Sequence, residues 1–225
     1  METFRRYEKK YLLDERQFEL FLKKIEPYVK PDKFYITKIR SIYYDTDNSQ
    51  MIRRSIEKPD YKEKLRIRSY GDTNGNDTVF VEFKKKLDGI VYKRRTKAKC
   101  QDVIEDIYHC DFTDKQVGSE IRYALNYYQH LSPAIYIGCD RTSYVSKKDK
   151  ELRITFDRDI SYRTTDLSLH KSSMDKKVTD KTVMELKIAD AMPIWLANIL
   201  DEIKIYPQGF SKVGTAYLKE LKGAY

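Results

Sequence analysis

The chain has 225 residues, and 44 Lys and Arg against 35 Asp and Glu give it a formal net charge of +9 at pH 7. Hydrophobic residues make up 40% of the chain and aromatic residues 13%, which excludes a disordered basic tail because such a chain can bury a core. The length favours one large domain over two, and the excess of positive charge favours an anionic partner.

Strand patterns of period two alternate along the chain with helix patterns of about 3.6 residues per turn. In chain order we predict a strand over residues 4–13, a helix from the N-cap Asp14 to near Pro31, strands over 37–46, 61–70, 78–87 and 90–99, a helix over 114–131, strands over 134–146, 151–162 and 182–189, and helices over 193–203 and 211–221. Residues 72–77 are predicted as a hairpin turn and 164–181 as a mobile loop. About eight strands with mostly short connections favour an antiparallel meander closed into a barrel.

Sequence motifs exclude several common functions. No P-loop, G-x-G-x-x-G or G-x-S-x-G pattern occurs, so standard nucleotide cradles and serine hydrolase elbows are not expected. The three cysteines, Cys100, Cys110 and Cys139, match no zinc or redox spacing. No apolar run reaches the roughly 18 residues of a membrane span, and the N-terminal segment lacks the apolar stretch of a signal peptide. We therefore expect a soluble, cytoplasmic protein without a membrane segment of its own.

Charged residues recur on one face of several predicted strands. The strand over 61–70 places four cations on one face: Lys62, Lys64, Arg66 and Arg68. Four like charges in register repel one another unless an anion lies among them. Related sets follow elsewhere: Arg6, Glu8 and Lys10; Glu82, Lys84 and Lys86; Arg153, Thr155 and Asp157; Glu185 and Lys187. The segment 93–95 is too uniformly basic for a face to be assigned.

The alternation has two interpretations. An ordinary half-buried strand also turns polar residues toward water and apolar residues toward a core. If the charged faces instead turn inward, they line a cationic, water-filled lumen that requires a polyanion to compensate its charge. The pattern alone leaves both interpretations open.

Nine sequence blocks, spread in order over nearly the whole chain, carry a family resemblance. They are RYEKKY at Arg6, SIYYDT at Ser41, KLRIRSYG at Lys64, VFVEFKKK at Val79, VYKRR at Val91, CDRTSY at Cys139, LRITFD at Leu152, VMELKI at Val183 and FSKVGTAY at Phe210. Together they resemble the VTC domain, the catalytic core of the vacuolar transporter chaperone polyphosphate polymerase. This domain is a member of the triphosphate tunnel metalloenzyme superfamily, which also contains CYTH-type triphosphatases.

The resemblance implies an α+β fold in which a closed antiparallel eight-stranded β-barrel forms a phosphate-binding tunnel, with helices packed outside, as a single domain over residues 1–225. It implies six catalytic phosphate ligands on the tunnel wall: Lys10, Arg66, Arg68, Lys84, Arg141 and Arg153. It implies further phosphate-binding residues: Lys64, Arg94, Arg95, Lys187, Ser211 and Lys212. Glu185 matches the family's ligand for a divalent metal, Mn²⁺ or Mg²⁺. Glu8 and Glu82 resemble auxiliary metal-binding carboxylates, or they orient neighbouring Lys and Arg through ion pairs.

The resemblance further implies a polyphosphate polymerase that transfers the γ-phosphate of ATP to a growing polyphosphate chain and releases ADP. Arg6 stands where CYTH enzymes have the first Glu of their E-x-E-x-K pattern, which favours the polymerase branch. A metal-dependent triphosphatase or NTPase and a non-catalytic polyphosphate-binding module stay open as alternatives. Nucleic acid is not an expected partner because recognisable RNA-binding motifs are absent. The family's link to membrane components implies a separate membrane protein partner, which would bring the chain to the inner face of a membrane.

Overall fold

The structure, a computed structural model, describes residues 7–57, 59–88, 90–189 and 191–223. Its elements in chain order are β1 (Tyr7–Leu13), α1 (Glu15–Ile25), β2 (Val29–Asp45), α2 (Gln50–Glu57), β3 (Tyr61–Tyr70), β4 (Thr78–Leu87), β5 (Ile90–Lys99), α3 (Cys100–Asp106), α4 (Lys115–Tyr128), β6 (Ser132–Ser146), β7 (Arg153–Arg163), β8 (Lys176–Lys177), β9 (Thr182–Ile188), α5 (Ile194–Glu202) and α6 (Lys212–Gly223). The predicted α+β class is confirmed. Residues 4–6 of the first predicted strand, Arg6 among them, lie outside the described residues.

Most predicted elements are confirmed, and the strands over 61–70, 78–87 and 90–99 have the predicted bounds. The first helix ends at Ile25 and β2 begins at Val29, whereas we predicted a helix to near Pro31 and a strand only from residue 37. Pro27 explains the early end of the helix, because proline lacks the N–H that a continuing helix needs and its ring clashes with the carbonyl four residues before it. The short helices α2 and α3 were not predicted, and the predicted loop over 164–181 contains the short strand β8.

Hydrogen bonds link the strands in the order β1-β9-β7-β6-β2-β3-β4-β5, with β8 paired to β7. The described registers are antiparallel. Lys10 of β1 lies opposite Glu185 of β9, and Arg66 of β3 lies opposite Glu82 of β4. Among the described residues, β1 and β5 are the two ends of this order. A large antiparallel sheet is therefore confirmed, while its closure into a barrel stays a prediction.

The chain forms two compact units, each gathered from segments that are distant in the sequence. Unit 1 consists of Met1–Lys38, Cys139–Ile160 and Thr179–Ser211. Unit 2 consists of Ile39–Gly138, Ser161–Val178 and Lys212–Tyr225. Each unit has its own buried apolar cluster.

The core of unit 1 is formed by one face of β1, β7 and β9 together with α1 and α5. The strands contribute Tyr11, Leu13, Ile154, Phe156, Met184, Leu186 and Ile188 to this buried cluster. The rings of Phe18 and Phe21 on α1 meet the ring of Phe156 edge-on, with centroids 5.2 and 6.1 Å apart. Asp14 caps α1 as predicted, because its carboxylate accepts a hydrogen bond from the Gln17 N–H at 2.7 Å. The apolar face of these strands is thus covered by helices.

The core of unit 2 likewise lies between one face of its strands and the helices that cover that face. One face of β3 and β4 contributes Leu65, Ile67, Val79, Val81 and Phe83 to a buried cluster. Val103 of α3 and Ile121 and Leu125 of α4 belong to the same cluster. Because side chains alternate along a strand, the residues between these apolar positions lie on the face that the helices leave uncovered. The charged residues predicted as ligands in β3 and β4 occupy that face.

Candidate functional site

Unit 2 carries a strongly basic surface on β3, β4 and β5. Directly paired residues share a face of the sheet, and the registers pair Lys64 with Lys84 and Lys84 with Lys93. We call the following residues the cationic face: Lys62, Lys64, Arg66, Arg68, Glu82, Lys84, Lys86, Lys93, Arg95 and Lys97. This set contains nine cations and a single carboxylate. Such an excess is favourable only where anions compensate it.

Glu82 is the carboxylate of the cationic face, and its side chain is 1% exposed. Arg66 donates to Oε2 of Glu82 through Nε at 2.8 Å and approaches it through Nη2 at 2.7 Å. The Lys93 ammonium lies 2.6 Å from the other carboxylate oxygen, and Arg68 Nη1 lies 3.8 Å from Oε2. Burial raises the pKa of Glu82, but Arg66, Arg68 and Lys93 outweigh it and lower the pKa to about 2. These contacts favour an orienting role for Glu82 over that of an auxiliary metal ligand.

Tyr43 of β2 joins this cluster, although it was not predicted as a site residue. It lies opposite Arg66 in the register, and the Arg66 Nη1 donates a hydrogen bond to its phenol oxygen at 2.8 Å. Burial raises the pKa of Tyr43, but the charges of Arg66, Arg68 and Lys64 outweigh it and lower the pKa from 10.0 to about 7. In the sequence, only the position of Tyr43 within the block SIYYDT could have indicated a role at the site. Ser41 of the same block, two residues earlier, also contacts the cluster, since its hydroxyl accepts a hydrogen bond from Arg68.

We expect Tyr43 to titrate near neutral pH. The near-ultraviolet tyrosinate signal of the folded protein should show a step near pH 7 that Tyr43→Phe removes. Because the folded pKa is lower than the unfolded one, the wild type should gain stability over Tyr43→Phe as pH rises from 7 to 10, by a slope on the order of 1 kcal/mol per pH unit. Below pH 7 the difference in stability between the two proteins no longer changes with pH. Identical titration curves for the two proteins would contradict this assignment.

The register of β5 assigns the faces of the basic segment 93–95. Lys93 and Arg95 belong to the cationic face, and the Arg95 guanidinium lies 3.4 Å from the ring centroid of Phe80. Arg94 points to the opposite face, where its Nε lies 3.3 Å from a carboxylate oxygen of Glu120 on α4. The structure therefore groups Arg95 with the predicted ligands of β3 and β4 and separates Arg94 from them. Lys93, which was not predicted as a ligand, belongs to the group.

Arg95 and Arg94 form a matched pair for mutagenesis, since they are neighbours on one strand with opposite faces. Arg95→Ala should weaken tripolyphosphate binding roughly tenfold, which is about 1.4 kcal/mol and the lower range for a charged hydrogen bond. Arg94→Ala should leave the affinity within about twofold of the wild type. Calorimetric titration of both variants with tripolyphosphate measures the difference in affinity. Equal losses of affinity would show that tripolyphosphate does not bind preferentially to the cationic face.

Unit 1 carries a second charged surface, opposite its apolar core. The registers pair Lys10 with Glu185 and Glu185 with Thr155, and next to them Glu8 with Lys187 and Lys187 with Arg153. We call the following residues the mixed face: Glu8, Lys10, Arg153, Thr155, Asp157, Glu185 and Lys187. The Lys187 ammonium lies 3.4 Å from Glu185 Oε1 and 3.8 Å from Glu8 Oε1. Five predicted site residues of unit 1 thus share one face.

Arg141 of β6 also reaches this face. Its Nε and Nη2 donate to the two carboxylate oxygens of Asp157 at 2.6 and 2.7 Å. Asp157 is 1% exposed, so it fixes the guanidinium in a buried fork. Burial lowers the pKa of Arg141, but Asp157 outweighs it and raises the pKa above the ordinary value. Arg141 therefore keeps its charge.

The block around Phe210 is attached to β1. The Lys10 ammonium donates to the Phe210 carbonyl at 3.0 Å, and the Gln208 N–H donates to the Lys10 carbonyl at 2.8 Å. Ser211 follows directly in the chain, so its backbone adjoins the carbonyl that Lys10 holds. Lys212 is the first residue of α6 and belongs to unit 2.

Residues 5–220 match the VTC domain family. The chain belongs to this family. No curated protein matches the chain. Among solved structures, a protein from Hippeastrum described as a proposed adenylyl cyclase with a dominant triphosphatase activity is similar, with a TM-score of 0.51, 13% identity and 91% of each chain covered.

Two further solved structures are similar to this VTC domain. They are a proposed adenylate cyclase from Vibrio parahaemolyticus, with a TM-score of 0.48, 11% identity and coverage of 94% of this chain and 97% of that chain, and a protein from Pyrococcus horikoshii OT3, with a TM-score of 0.47, 14% identity and coverage of 95% and 99%. The predicted family is confirmed by the match over residues 5–220. The Hippeastrum likeness supports the fold.

VTC domain membership in the triphosphate tunnel metalloenzyme superfamily implies dependence on a divalent metal, and the mixed face offers oxygen donors for one. Glu185 is 14% exposed at its side chain, and the buried hydroxyl of Thr155, directly opposite it, has no hydrogen-bond partner among the described residues. The described residues contain no cluster of three His, Cys, Asp or Glu side chains that could hold a metal ion. Mg²⁺ takes one or two carboxylates and completes its shell with water and substrate phosphates, so Glu185, with the Thr155 hydroxyl opposite it, fits such an ion.

Proposed function

We propose that this VTC domain is a metal-dependent polyphosphate polymerase, which transfers the γ-phosphate of ATP to an inorganic polyphosphate chain within a closed tunnel of one domain. The cationic face carries the proposal: nine Lys and Arg surround one buried carboxylate on three neighbouring strands. A flexible chain of phosphates supplies closely spaced negative charges that match such a surface. We further propose that the mixed face serves the same phosphate chain.

Phosphoryl transfer requires that charge is neutralised and that the attacking and leaving oxygens lie in line. In the proposed reaction an oxygen of the acceptor phosphate attacks the γ-phosphorus, the bond to the bridging oxygen breaks, and ADP leaves. Arg68 and Arg153 would bind phosphate oxygens through their guanidinium groups. Arg66 and Arg141, whose Nε and Nη2 are held by Glu82 and Asp157, would contribute their positive charge and the remaining N–H groups. The lysines act as point charges: Lys10, Lys64, Lys84 and Lys187. Ser211 and Lys212 would contact phosphate at the mouth of the tunnel.

Glu185, with Glu8 as an auxiliary carboxylate, would hold Mn²⁺ or Mg²⁺. When bound, such an ion neutralises the charge that develops on the phosphate oxygens. Lys187, 3.4 Å from Glu185, orients this carboxylate in the protein itself. The acceptor phosphate is the nucleophile, so the proposal requires no protein nucleophile.

The position of Tyr43 favours a second candidate, a metal-dependent triphosphatase. Its phenol oxygen lies beside the cationic face, 2.8 Å from Arg66 Nη1, and the neighbouring cations lower its pKa, so its phenolate form would accept a proton from water. The Hippeastrum protein is described as having a dominant triphosphatase activity, which agrees with this candidate. In that reaction water replaces the acceptor phosphate and the products are orthophosphate and a shortened substrate.

Product analysis distinguishes the candidates. The protein is incubated with ATP and Mn²⁺ or Mg²⁺, and the products are resolved by gel electrophoresis and anion-exchange chromatography. A polymerase gives a ladder of polyphosphate and one ADP for each phosphate incorporated. Orthophosphate without a ladder would overturn the polymerase in favour of the triphosphatase, and binding without any product would leave a polyphosphate-binding module.

The proposal includes a partner that receives the product. No helix in the described part of the chain is long and apolar enough to cross a membrane. We propose that a separate membrane protein takes up the polyphosphate and brings this chain to the inner, cytoplasmic face of a membrane. Copurification of polyphosphate-loaded chain with the membrane fraction, and its loss after carbonate extraction, tests this part of the proposal.

A further inference from the structure

The first half of β2, within unit 1, exposes two large apolar side chains. Phe34 is 69% exposed and Ile36 is 72% exposed. Single exposed apolar residues are ordinary, but two residues at spacing i and i+2 lie side by side on one face of a strand. They form a small apolar patch, with the Lys33 ammonium 5.6 Å from the centroid of the Phe34 ring.

Contacts on either side of the strand identify the face that the patch belongs to. The Tyr35 hydroxyl lies 2.9 Å from the Tyr144 hydroxyl, and the Tyr144 ring meets Phe156 of the unit 1 core. Tyr35 therefore faces the core, and the alternation of the strand turns Phe34 and Ile36 to the opposite side. That side is the one on which the mixed face lies.

An ion pair connects the patch to the predicted phosphate ligands. Asp32, two residues before Phe34 on the same strand face, has a carboxylate oxygen 3.7 Å from Arg153 Nη1. Arg153 lies directly opposite Lys187, whose ammonium is 3.4 Å from Glu185. Two residues of strand span roughly 7 Å, so Phe34 lies about that distance along the strand from the Asp32–Arg153 ion pair, beside the mixed face.

On the mixed face beside the patch, the cations Lys10, Arg153 and Lys187 stand among the carboxylates. An apolar patch beside such cations matches a ligand with a flat apolar part and several phosphates. A nucleoside triphosphate has this chemistry, whereas inorganic polyphosphate lacks the apolar part. Bases stack on aromatic rings with little preference among them, because every base has a π-face. We propose that Phe34 and Ile36 form the nucleobase subsite for the donor nucleotide, with Phe34 stacking on the base. This inference rests on the proposed function only in that the phosphate donor is a nucleotide.

Calorimetric titration with two ligands tests the subsite, one with a base and one without. Phe34→Ala should weaken ATP binding roughly 5- to 100-fold, the range for loss of one aromatic stacking partner, and should leave tripolyphosphate binding unchanged. Phe34→Trp should keep or strengthen ATP binding. Tyr123→Ala is the matched control, because Tyr123 is 70% exposed on α4 and its loss should affect neither ligand.

The outcomes separate this inference from the proposed reaction. Equal loss of ATP and tripolyphosphate affinity in Phe34→Ala, or loss of neither, would overturn the subsite. Binding of phospholipid vesicles that Phe34→Ala removes, with ATP affinity intact, would overturn it in favour of a membrane-contacting patch. A selective loss of ATP affinity in Phe34→Ala supports the subsite even if the wild type makes no polyphosphate. Failure to make polyphosphate would contradict the proposed polymerase reaction but not the nucleobase subsite.

Discussion

Glu82→Gln is expected to lower the free energy of unfolding by about 3 to 5 kcal/mol, the range for removing one partner of a buried charge pair. Glu82 is the single carboxylate among nine cations of the cationic face, and its oxygens lie within 2.6 to 2.8 Å of Lys93 and Arg66. Without its charge, Arg66, Arg68 and Lys93 repel one another and lose their common partner. Tripolyphosphate should restore part of the lost stability, because a ligand that binds the folded state stabilises it.

Urea unfolding measures this effect: the urea concentration at the midpoint should fall while the dependence of the unfolding free energy on urea concentration stays the same. Glu220→Gln is the matched control in unit 2, since Glu220 pairs with the exposed Lys176 and such pairs contribute about 0 to 1 kcal/mol. The pKa of Glu82 is lowered to about 2, so its contribution is present above its ordinary pKa of 4.5 and is lost as pH falls toward 2. The variant and the wild type should therefore converge in acid. A similar shift for both variants at neutral pH would contradict the role of Glu82.

Glu185→Gln is expected to lower kcat about a thousandfold, because a bound metal supplies several kcal/mol of charge stabilisation and each 1.36 kcal/mol is tenfold in rate. The substitution keeps the volume of the side chain and removes the charge that would hold the ion. Metal-free tripolyphosphate binding should persist or improve, since Glu185 itself repels an anion. The stabilisation of the protein against heat by Mn²⁺ should be lost.

Thermal unfolding with and without Mn²⁺, together with metal-free calorimetry, separates this role from a folding defect. Glu202→Gln makes the same change in an exposed pair with Lys24 in unit 1 and should retain wild-type rates. A Glu185→Gln protein with wild-type turnover, or one that still responds to Mn²⁺ as the wild type does, would rule out Glu185 as the metal ligand.

Periodicity in the sequence predicted the strands of unit 2 well because their alternation is strict. In β3, Leu65 and Ile67 are buried while Arg66 and Arg68 lie on the uncovered face. The two-residue period of hydrophobicity in the sequence therefore matches the alternation of buried and uncovered side chains. The start of β2 could not be predicted, because residues 29–36 mix charged, proline and apolar residues without alternation. The short helix α2 has too few turns for a helical period to emerge.

The candidate site was predictable in its residue types but not in its pairings. The segment 93–95 is basic at every position, and only the register with β4 separates Arg94 from Arg95. Two roles for Glu82 were open from sequence, and its burial among cations from three positions favours the orienting role. Tyr43 was not predicted because aromatic residues on strands commonly only fill space in the core. Its low pKa arises from neighbours that lie 21 to 25 positions away in the sequence.

If the charged faces recognise a chain of phosphates, calorimetric titration of the wild type with orthophosphate, pyrophosphate and tripolyphosphate should show an affinity that rises with each added phosphate. The affinity should also fall as salt screens the charges. Arg95→Ala should reduce this dependence on chain length, and Arg94→Ala should not. Equal affinities for orthophosphate and tripolyphosphate, or equal affinities of the two arginine variants for tripolyphosphate, would show that the charged faces do not recognise a phosphate chain.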